Sequence, residues 1–293
     1  MFNHSFCPVC KGKQFKSYLT CTDFTVSKER FNIVECNNCS FKFTNPLPEL
    51  NILGNYYKSE DYISHSDTKR GFISKLYHAV RKYSTRKKLE IISQYTKCGS
   101  ILDYGCGTGF FLANCKEEGW TCFGLEPDEG ARNICKQNGV AAAKNKEELK
   151  TLISDNSLSV ITLWHVMEHV SDLGDTIDFI NAKLSQNGAL IIAVPNYRSY
   201  DAQFYQEHWA AYDVPRHLYH FDQNTLVKLM AQYSFSLIKT LPMRFDSYYV
   251  SMLSEKYKRG SISYLKAFTT GFISNFKAGK SGEYSSLIYI FKK

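Results

Sequence analysis

The sequence predicts an α/β fold: a Rossmann-like, largely parallel sheet preceded by a small cysteine-rich module. Three observations predict it. From residue 99 onward, short apolar runs alternate with helical patterns, the β-α-β-α rhythm that a parallel sheet requires. The first of these runs opens ILDYGCGTG over residues 101–109, where Asp103 is followed by a glycine at every second position, Gly105, Gly107 and Gly109. Ahead of the sheet stand two C-x-x-C pairs, Cys7/Cys10 and Cys36/Cys39.

The glycine stretch organises the rest. Ile101 and Leu102 begin a buried strand, and a helical pattern covers 110–118, so the glycines lie in a strand-to-helix turn. Such a turn lets the backbone approach a ligand closely, because glycine has no Cβ and tolerates positive φ. A dinucleotide fingerprint needs G-x-G-x-x-G, and here the third glycine comes one residue early. A P-loop needs Lys-Ser/Thr, which is absent, and no basic residue is nearby to meet a phosphate. A second acid, Glu126, closes the next apolar run at about the distance expected of a ribose-binding carboxylate, roughly 20 residues past the turn. The bland alternative is a doubly wound domain with an accidental glycine-rich turn.

D-x-G-x-G-x-G followed by this acid resembles motif I of the class I S-adenosylmethionine-dependent methyltransferases. The resemblance implies a seven-stranded sheet whose last two strands are antiparallel. It implies S-adenosylmethionine as cofactor, with the glycine loop around its methionine part and Glu126 on its ribose. Its contacts fall on Asp103, Tyr104, Gly105, Gly107, Gly109, Glu126, Pro127 and Trp164. A polar group beyond strand three would meet the adenine, and Asn145 is the candidate.

The chain has 293 residues, room for one domain with additions or for two. Its 44% hydrophobic content suits a chain with a real core, and no apolar run approaches the ~20 residues of a membrane span. The first residues lack the charged and apolar regions of a signal peptide, which points to the cytoplasm. The net charge of +8 is concentrated in residues 81–97 and 239–293. Clustered charge favours an anionic partner such as nucleic acid, a nucleotide-linked sugar or an anionic membrane surface. A solvated face is the alternative for any single lysine. The sequence does not define the oligomeric state.

In chain order, residues 1–47 read as a zinc ribbon. Two C-x-x-C knuckles supply the four thiolates of a closed, structural zinc site on Cys7, Cys10, Cys36 and Cys39, around strands over 15–19 and 31–35. A redox C-x-x-C would sit between a strand and a helix, and neither pair does. The other six cysteines read as small buried apolar side chains. Residues 48–97 form a linker with Tyr56, Tyr57 and Tyr62, then an amphipathic helix over 71–95. Residues 98–293 form the main domain. Its strands are expected over 101–103, 121–125, 140–143, 159–163 and 189–194, with helices over 110–118, 128–137 and 172–184 and a turn at 186–188. A helix over 222–233 with Asp222 as N-cap, a strand over 235–241, partly helical residues 244–280 and a final strand over 285–291 complete it.

The fourth strand runs into Trp164-His-Val-Met-Glu-His169. This segment resembles the L-x-H-V-x-E-H of one methyltransferase branch, which includes ubiquinone-type O-methyltransferases. The connection over 195–222 holds His208, His217 and His220 with Asp213, Arg216 and several aromatics. Loops beyond such strand ends carry function, so this is the expected acceptor pocket; a structural insertion with satisfied histidines is the alternative. The Asp-x-Pro-Arg-His-Leu within it resembles a segment of the same branch, including proteins tied to bacterial surface glycans.

Methyl transfer to a hydroxyl needs a base, for which His217, His169 and His165 are candidates, His217 first. Asp213 and Arg216 are the candidate substrate residues, Arg216 for an anionic acceptor. The expected acceptor is a small or medium molecule, with a lean to a sugar or glycan-linked intermediate; peripheral membrane contact stays open. Two other functions stand beside this one. An RNA methyltransferase would use the ribbon to contact nucleic acid, though no N-P-P-Y-like tetrad follows strand four. A non-catalytic cofactor-binding scaffold would more naturally have lost the glycine loop.

Overall fold

A computed structural model describes residues 1–57 and 72–293. Tyr62 and Gly71 lie outside the described residues. Two sheets organise the chain. The larger has seven strands: β4 (Ser100–Tyr104), β5 (Thr121–Leu125), β6 (Ala142–Ala143), β7 (Leu158–Trp164), β8 (Leu184–Pro195), β10 (Ser236–Pro242) and β11 (Ser286–Lys292). Their order is β10-β11-β8-β7-β4-β5-β6. β4 to β8 pair in parallel, while β11 is antiparallel to both β8 and β10. The sheet therefore has the expected seven strands and the expected antiparallel end.

The order reverses between β4 and β7, and ligands of open α/β sheets bind at the carboxyl ends of strands beside such a switch point. The central strands are nearly continuous apolar runs because helices cover both faces. Those helices are α2 (Phe72–Ser93), α3 (Phe110–Glu117), α4 (Glu129–Gln137), α5 (Lys146–Leu152), α6 (Leu173–Lys183) and α8 (Gln223–Ala231). Asp128, Asn145, Asp172 and Asp222 each accept a backbone N–H at a helix start, worth about 1 kcal/mol apiece. The Asp222 cap is the one expected from the sequence.

Helix α5 was not foreseen, and it reassigns Asn145. The Asn145 side-chain oxygen accepts the Glu148 N–H at 3.0 Å, so this residue caps a helix rather than standing free for an adenine. The expected turn at 186–188 is absorbed into β8 as an irregularity. The register moves from Leu158↔Leu184 to Val160↔Ala189, so the turn residues bulge from a strand that resumes its pairing. Of the six unpaired cysteines, Cys21, Cys106, Cys115 and Cys135 are buried and Cys122 is half-buried, but Cys98 is exposed.

The smaller sheet contains β1 (Phe15–Thr22), β2 (Arg30–Cys36), β3 (Lys42–Thr44) and β9 (Tyr219–His220), in that order. β9 comes from the 195–222 connection and pairs antiparallel with β3. The N-terminal sheet is thus completed by a strand of the main domain. Phe41 and Phe43 share one core with Leu218, Tyr219 and Phe221. Short helices α1 (Leu50–Leu53) and α7 (Tyr200–Tyr205) flank this junction, and α9 (Asp246–Arg259) and α10 (Tyr264–Ser281) form a pair inserted between β10 and β11. Among the described residues, no helix is long and apolar enough to cross a membrane.

Candidate active site

Beyond β4 the chain turns through Gly105, Gly107 and Gly109 at φ values of 79°, 54° and 71°. Two of these glycines are set by packing. A Cβ on Gly105 would lie 2.5 Å from Val166 Cγ2, and one on Gly109 would lie 2.3 Å from Cys135 Sγ. Gly107 differs: a Cβ there would meet nothing within 4 Å. Its backbone faces open space at the switch point, where a ligand can approach it.

Asp103, the penultimate residue of β4, is buried and accepts a 2.6 Å hydrogen bond from the Thr162 hydroxyl on β7. The register Asp103↔Thr162 makes this pair. Burial pushes the Asp103 carboxyl up to about 7, against the Thr162 hydrogen bond and the Lys88 ammonium. At the end of β5, Glu126 accepts the N–H groups of Gly107 and Asp128, both at 2.9 Å. Burial raises its pKa against those two bonds. Each carboxylate oxygen keeps a second lone-pair site, so ribose hydroxyls can still donate to it.

Trp164 stands on the same edge. Its ring meets Phe111 edge-on at 6.0 Å, and the Lys88 ammonium lies 4.3 Å over it. Its Nε1–H is buried with no hydrogen-bond partner, a deficit of about 1–3 kcal/mol that a ligand acceptor would relieve. The open cradle at Gly107, the two acids and this orphaned donor fit S-adenosylmethionine. Two other expected contacts fare differently. The Tyr104 ring is buried against Phe179 within the core, so only its backbone can serve the loop. Pro127 is exposed beside Glu126, and its carbonyl accepts from Arg132 at 2.6 Å.

The three candidate histidines converge with Glu168. His165 has φ 58°, which turns the chain off β7. Its Nε2 lies 3.2 Å from Asp246 Oδ2 and its Nδ1 3.5 Å from Glu168 Oε1. Burial opposes its charge, but Asp246 and Glu168 outweigh this and raise its pKa to about 10. Burial acts the other way on His169, pushing it down to about 4 with help from His217. Glu168 is 1% exposed, and neither carboxylate oxygen has a hydrogen-bond partner. Burial raises its pKa, but His165 above all, then His217 and His169, pull it below the ordinary value.

Backbone carbonyls fix both remaining imidazoles. His217 Nδ1 is 2.9 Å from the Ala211 carbonyl, and His169 Nδ1 is 3.1 Å from the Arg216 carbonyl. A carbonyl only accepts, so Nδ1 carries the proton in each ring and Nε2 is left as the basic atom. The rings meet edge-to-face at 4.5 Å. The ligand atoms of Glu168, His169 and His217 lie within 4.8 Å of one another, a spacing at which they could hold one cation.

Arg216 is corrected. It is 1% exposed and holds the structure together. Its guanidinium donates to Asp213 at 2.9 and 2.6 Å, to Asp23 at 3.0 Å, to Thr25 at 3.1 Å and to the Tyr56 carbonyl at 2.7 Å. Asp213 is its partner, held below its ordinary value by Arg216 against the opposing effect of burial. Neither side chain can take an anionic acceptor without breaking a buried ion pair. His220 is likewise internal, with its Nε2 3.1 Å from Thr44 Oγ1.

Sequence reasoning missed Lys88, Thr162 and Asp246. Lys88 is one of several lysines in a basic run. Thr162 lies within an apolar strand, and Asp246 arrives from a helix more than seventy residues past His165. Tyr57, singled out in the sequence with Tyr56 and Tyr62, has its hydroxyl 3.0 Å from His169 Nδ1. The four N-terminal cysteines do come together, with all sulfurs within 4.8 Å.

The comparisons agree with this geometry. The family model described as a methyltransferase domain matches residues 72–240. A S-adenosylmethionine-dependent methyltransferase from Archaeoglobus fulgidus is similar in structure, at 19% identity and TM-score 0.50, over 73% of this chain and 94% of that one. A putative sarcosine dimethylglycine methyltransferase from Galdieria sulphuraria is similar at 13% identity and TM-score 0.51, over 75% and 88%. Geranyl diphosphate C-methyltransferase from Streptomyces coelicolor A3(2), solved with Mg2+, a thiolodiphosphate analogue and S-adenosyl-L-homocysteine, is similar at 13% identity and TM-score 0.51, over 78% and 82%. At these identities the likeness concerns the fold. No curated protein matches the chain. With more than half its length matched by the family, and with an acid-flanked glycine cradle at the switch point, the chain belongs to the class I S-adenosylmethionine-dependent methyltransferases.

Proposed function

We propose that this methyltransferase acts on a hydroxyl of a small or medium acceptor, with a sugar or glycan-linked intermediate as the favoured class, and that His217 is its base. The observation that carries this is the buried Glu168 carboxylate beneath two imidazoles whose Nδ1–H groups are tied to carbonyls. Bound S-adenosylmethionine supplies an electrophilic methyl on a sulfonium, which becomes a thioether when the C–S bond breaks. The residues of the chain align the acceptor, exclude water and take its proton. Nε2 of His217 accepts that proton as the acceptor oxygen attacks the methyl carbon. Glu168 then stabilises the imidazolium that forms, as a buried carboxylate does for a neighbouring cation. Asp246 and Glu168 favour the charged form of His165, which makes it the weaker candidate for the base.

The four N-terminal cysteines are the site we assign to a structural zinc ion. Cys7 and Cys39 sulfurs lie 3.6 Å apart and those of Cys10 and Cys36 3.5 Å apart. Both are far longer than a disulfide and near the ~3.8 Å edge of a tetrahedron with 2.3 Å zinc–sulfur bonds. Four sulfurs close the coordination shell, so the ion has no place in the chemistry.

Calorimetric titration with S-adenosylmethionine and S-adenosylhomocysteine, followed by turnover assays on phosphorylated and nucleotide-linked sugars, tests the proposal. Saturable binding of both and methylation of an acceptor hydroxyl, lost in His217→Ala with cofactor affinity kept, is expected. Normal turnover by His217→Ala removes the histidine as base.

A further inference from the structure

Helix α10 is amphipathic in reverse. The residues it buries are small: Ala267, Thr270, Gly271, Ser274 and Ala278. Its large apolar side chains point outward: Tyr264, Leu265, Phe268, Phe272, Ile273 and Phe276. Leu265 is 76% exposed and Phe276 68%. The inward choice has a packing reason. A Cβ on Gly271 would lie 2.8 Å from the Tyr248 ring and 3.0 Å from its Cα, so α10 lies close against α9 with no room for bulk. Packing does not explain the outward choice. Four aromatics at four-residue spacing make one continuous stripe along the helix, and soluble proteins rarely leave such a patch uncovered.

The charge beside the stripe is predominantly positive. α10 contains Lys266, Lys277 and Lys280 and no acid, and the last turn of α9 adds Lys256 and Lys258, while Arg259 there pairs with Glu255 at 2.7 Å. Aromatic and leucine side chains on one face with lysines at the rim form the pattern of a helix lying in a membrane interface. We propose that α10 docks the protein on an anionic lipid bilayer, its aromatic stripe in the headgroup–acyl boundary and its lysines on anionic headgroups. The charge chooses the occupant. A second copy meeting this face would bring like-charged rims together, whereas an anionic surface complements them.

The stripe packs on the helix that also carries Asp246. The Phe268 ring stacks on Tyr248 at 5.3 Å, and Tyr248 follows Asp246, the partner of His165, by two residues. An acceptor whose lipid end stays in the bilayer could therefore reach the site from this side, an extension that rests on the proposed methyl transfer; docking itself does not.

The test is flotation of the full-length, metal-loaded protein with phosphatidylcholine vesicles, with and without phosphatidylglycerol. Binding is expected only when phosphatidylglycerol is present, and it should weaken with salt. The triple variant Leu265→Ser/Phe272→Ser/Phe276→Ser removes exposed side chains and leaves the Phe268–Tyr248 stack in place. It should keep its melting temperature and its S-adenosylmethionine affinity while losing about tenfold or more in vesicle binding. Charge reversal of Lys266, Lys277 and Lys280 should have a similar effect. Absence of binding to anionic vesicles overturns the proposal, as does binding that the triple variant leaves unchanged. A concentration-dependent dimer abolished by the triple variant, without vesicle binding, assigns the stripe to a second copy and also overturns it. Cofactor affinity, read separately, reports on the methyltransferase site whatever the vesicles show.

Discussion

Nε2 of His165 stands 3.2 Å from Oδ2 of Asp246, joining the end of the fourth parallel strand to the first turn of the inserted helix pair. The contact brings the α9–α10 insertion onto the carboxyl edge of the sheet. It also keeps a positive charge beside Glu168.

Asp246→Asn should therefore lower the pKa of His165 by about one unit or more, readable from its imidazole NMR shifts. The stability consequence has a definite sign. A histidine raised from 6.5 to about 10 contributes stability that is complete below 6.5 and is lost as pH rises through about 10. The melting temperature of the native chain should fall over that window, and that of Asp246→Asn should fall less. An unchanged His165 pKa in the variant would leave Glu168 as its main partner.

Cofactor binding should release part of a proton near neutrality. Burial holds the Asp103 carboxyl at about 7, so the free protein is partly protonated there, and a cationic ligand favours the ionised form. Affinity for S-adenosylmethionine should rise with pH through about 7, and the heat of binding should depend on the buffer's ionisation enthalpy. The same raised pKa contributes stability to the free protein below 3.8 that is lost as pH rises through about 7. Heat independent of buffer would remove Asp103 from the linkage.

Gly107→Val separates ligand from fold. The position has φ 54° and open space at its Cβ, so the expected cost to folding is only the left-handed strain of about 1–2 kcal/mol. Cofactor affinity should nevertheless fall by about tenfold or more, because the side chain fills the cradle. Gly109→Val, which would run into Cys135, should instead lower the melting temperature. Full cofactor affinity in Gly107→Val would place the ligand elsewhere.

Arg216→Met should destabilise the chain by about 3–5 kcal/mol, because it removes the cation paired with the buried Asp23 and the half-buried Asp213. Asp23 and Asp213 both have depressed pKa values in the fold: burial raises each, and backbone N–H groups together with Arg216 outweigh it at Asp23, as Arg216 does at Asp213. Their contribution is present above the ordinary carboxylate range and is lost as pH falls through the folded values. The native chain should thus show an acid limb in its melting curve that Arg216→Met flattens. A variant as stable as the native chain would return Arg216 to the list of residues free to bind an acceptor.

Much of the cofactor half was legible because it is local. The glycine turn, Asp103 and Glu126 sit at fixed offsets from two strands whose apolar runs declare themselves. The helix cap at Asp222 follows from short-range hydrogen bonding. The acceptor half was legible in composition only. Arg216 beside three histidines read as a ligand clamp, yet its partners Asp23 and Tyr56 lie about 190 and 160 residues away in the chain, and nothing local announces them. The outward aromatics of α10 were hidden for a similar reason. Their spacing predicts a helix, but which face packs depends on how close Gly271 brings it to Tyr248.

The pairing of β3 with β9 ties the order of synthesis to the architecture. Thr44 and His220, side by side in the fold, are separated by 176 residues of chain. A nascent chain emerging from the ribosome exposes the cysteine knuckles early but carries an open β-edge at Phe43 until the segment through Phe221 has been delivered. Vectorial folding cannot finish the amino-terminal sheet on its own. That edge is a place for a chaperone to shield and for two incomplete chains to cross-pair.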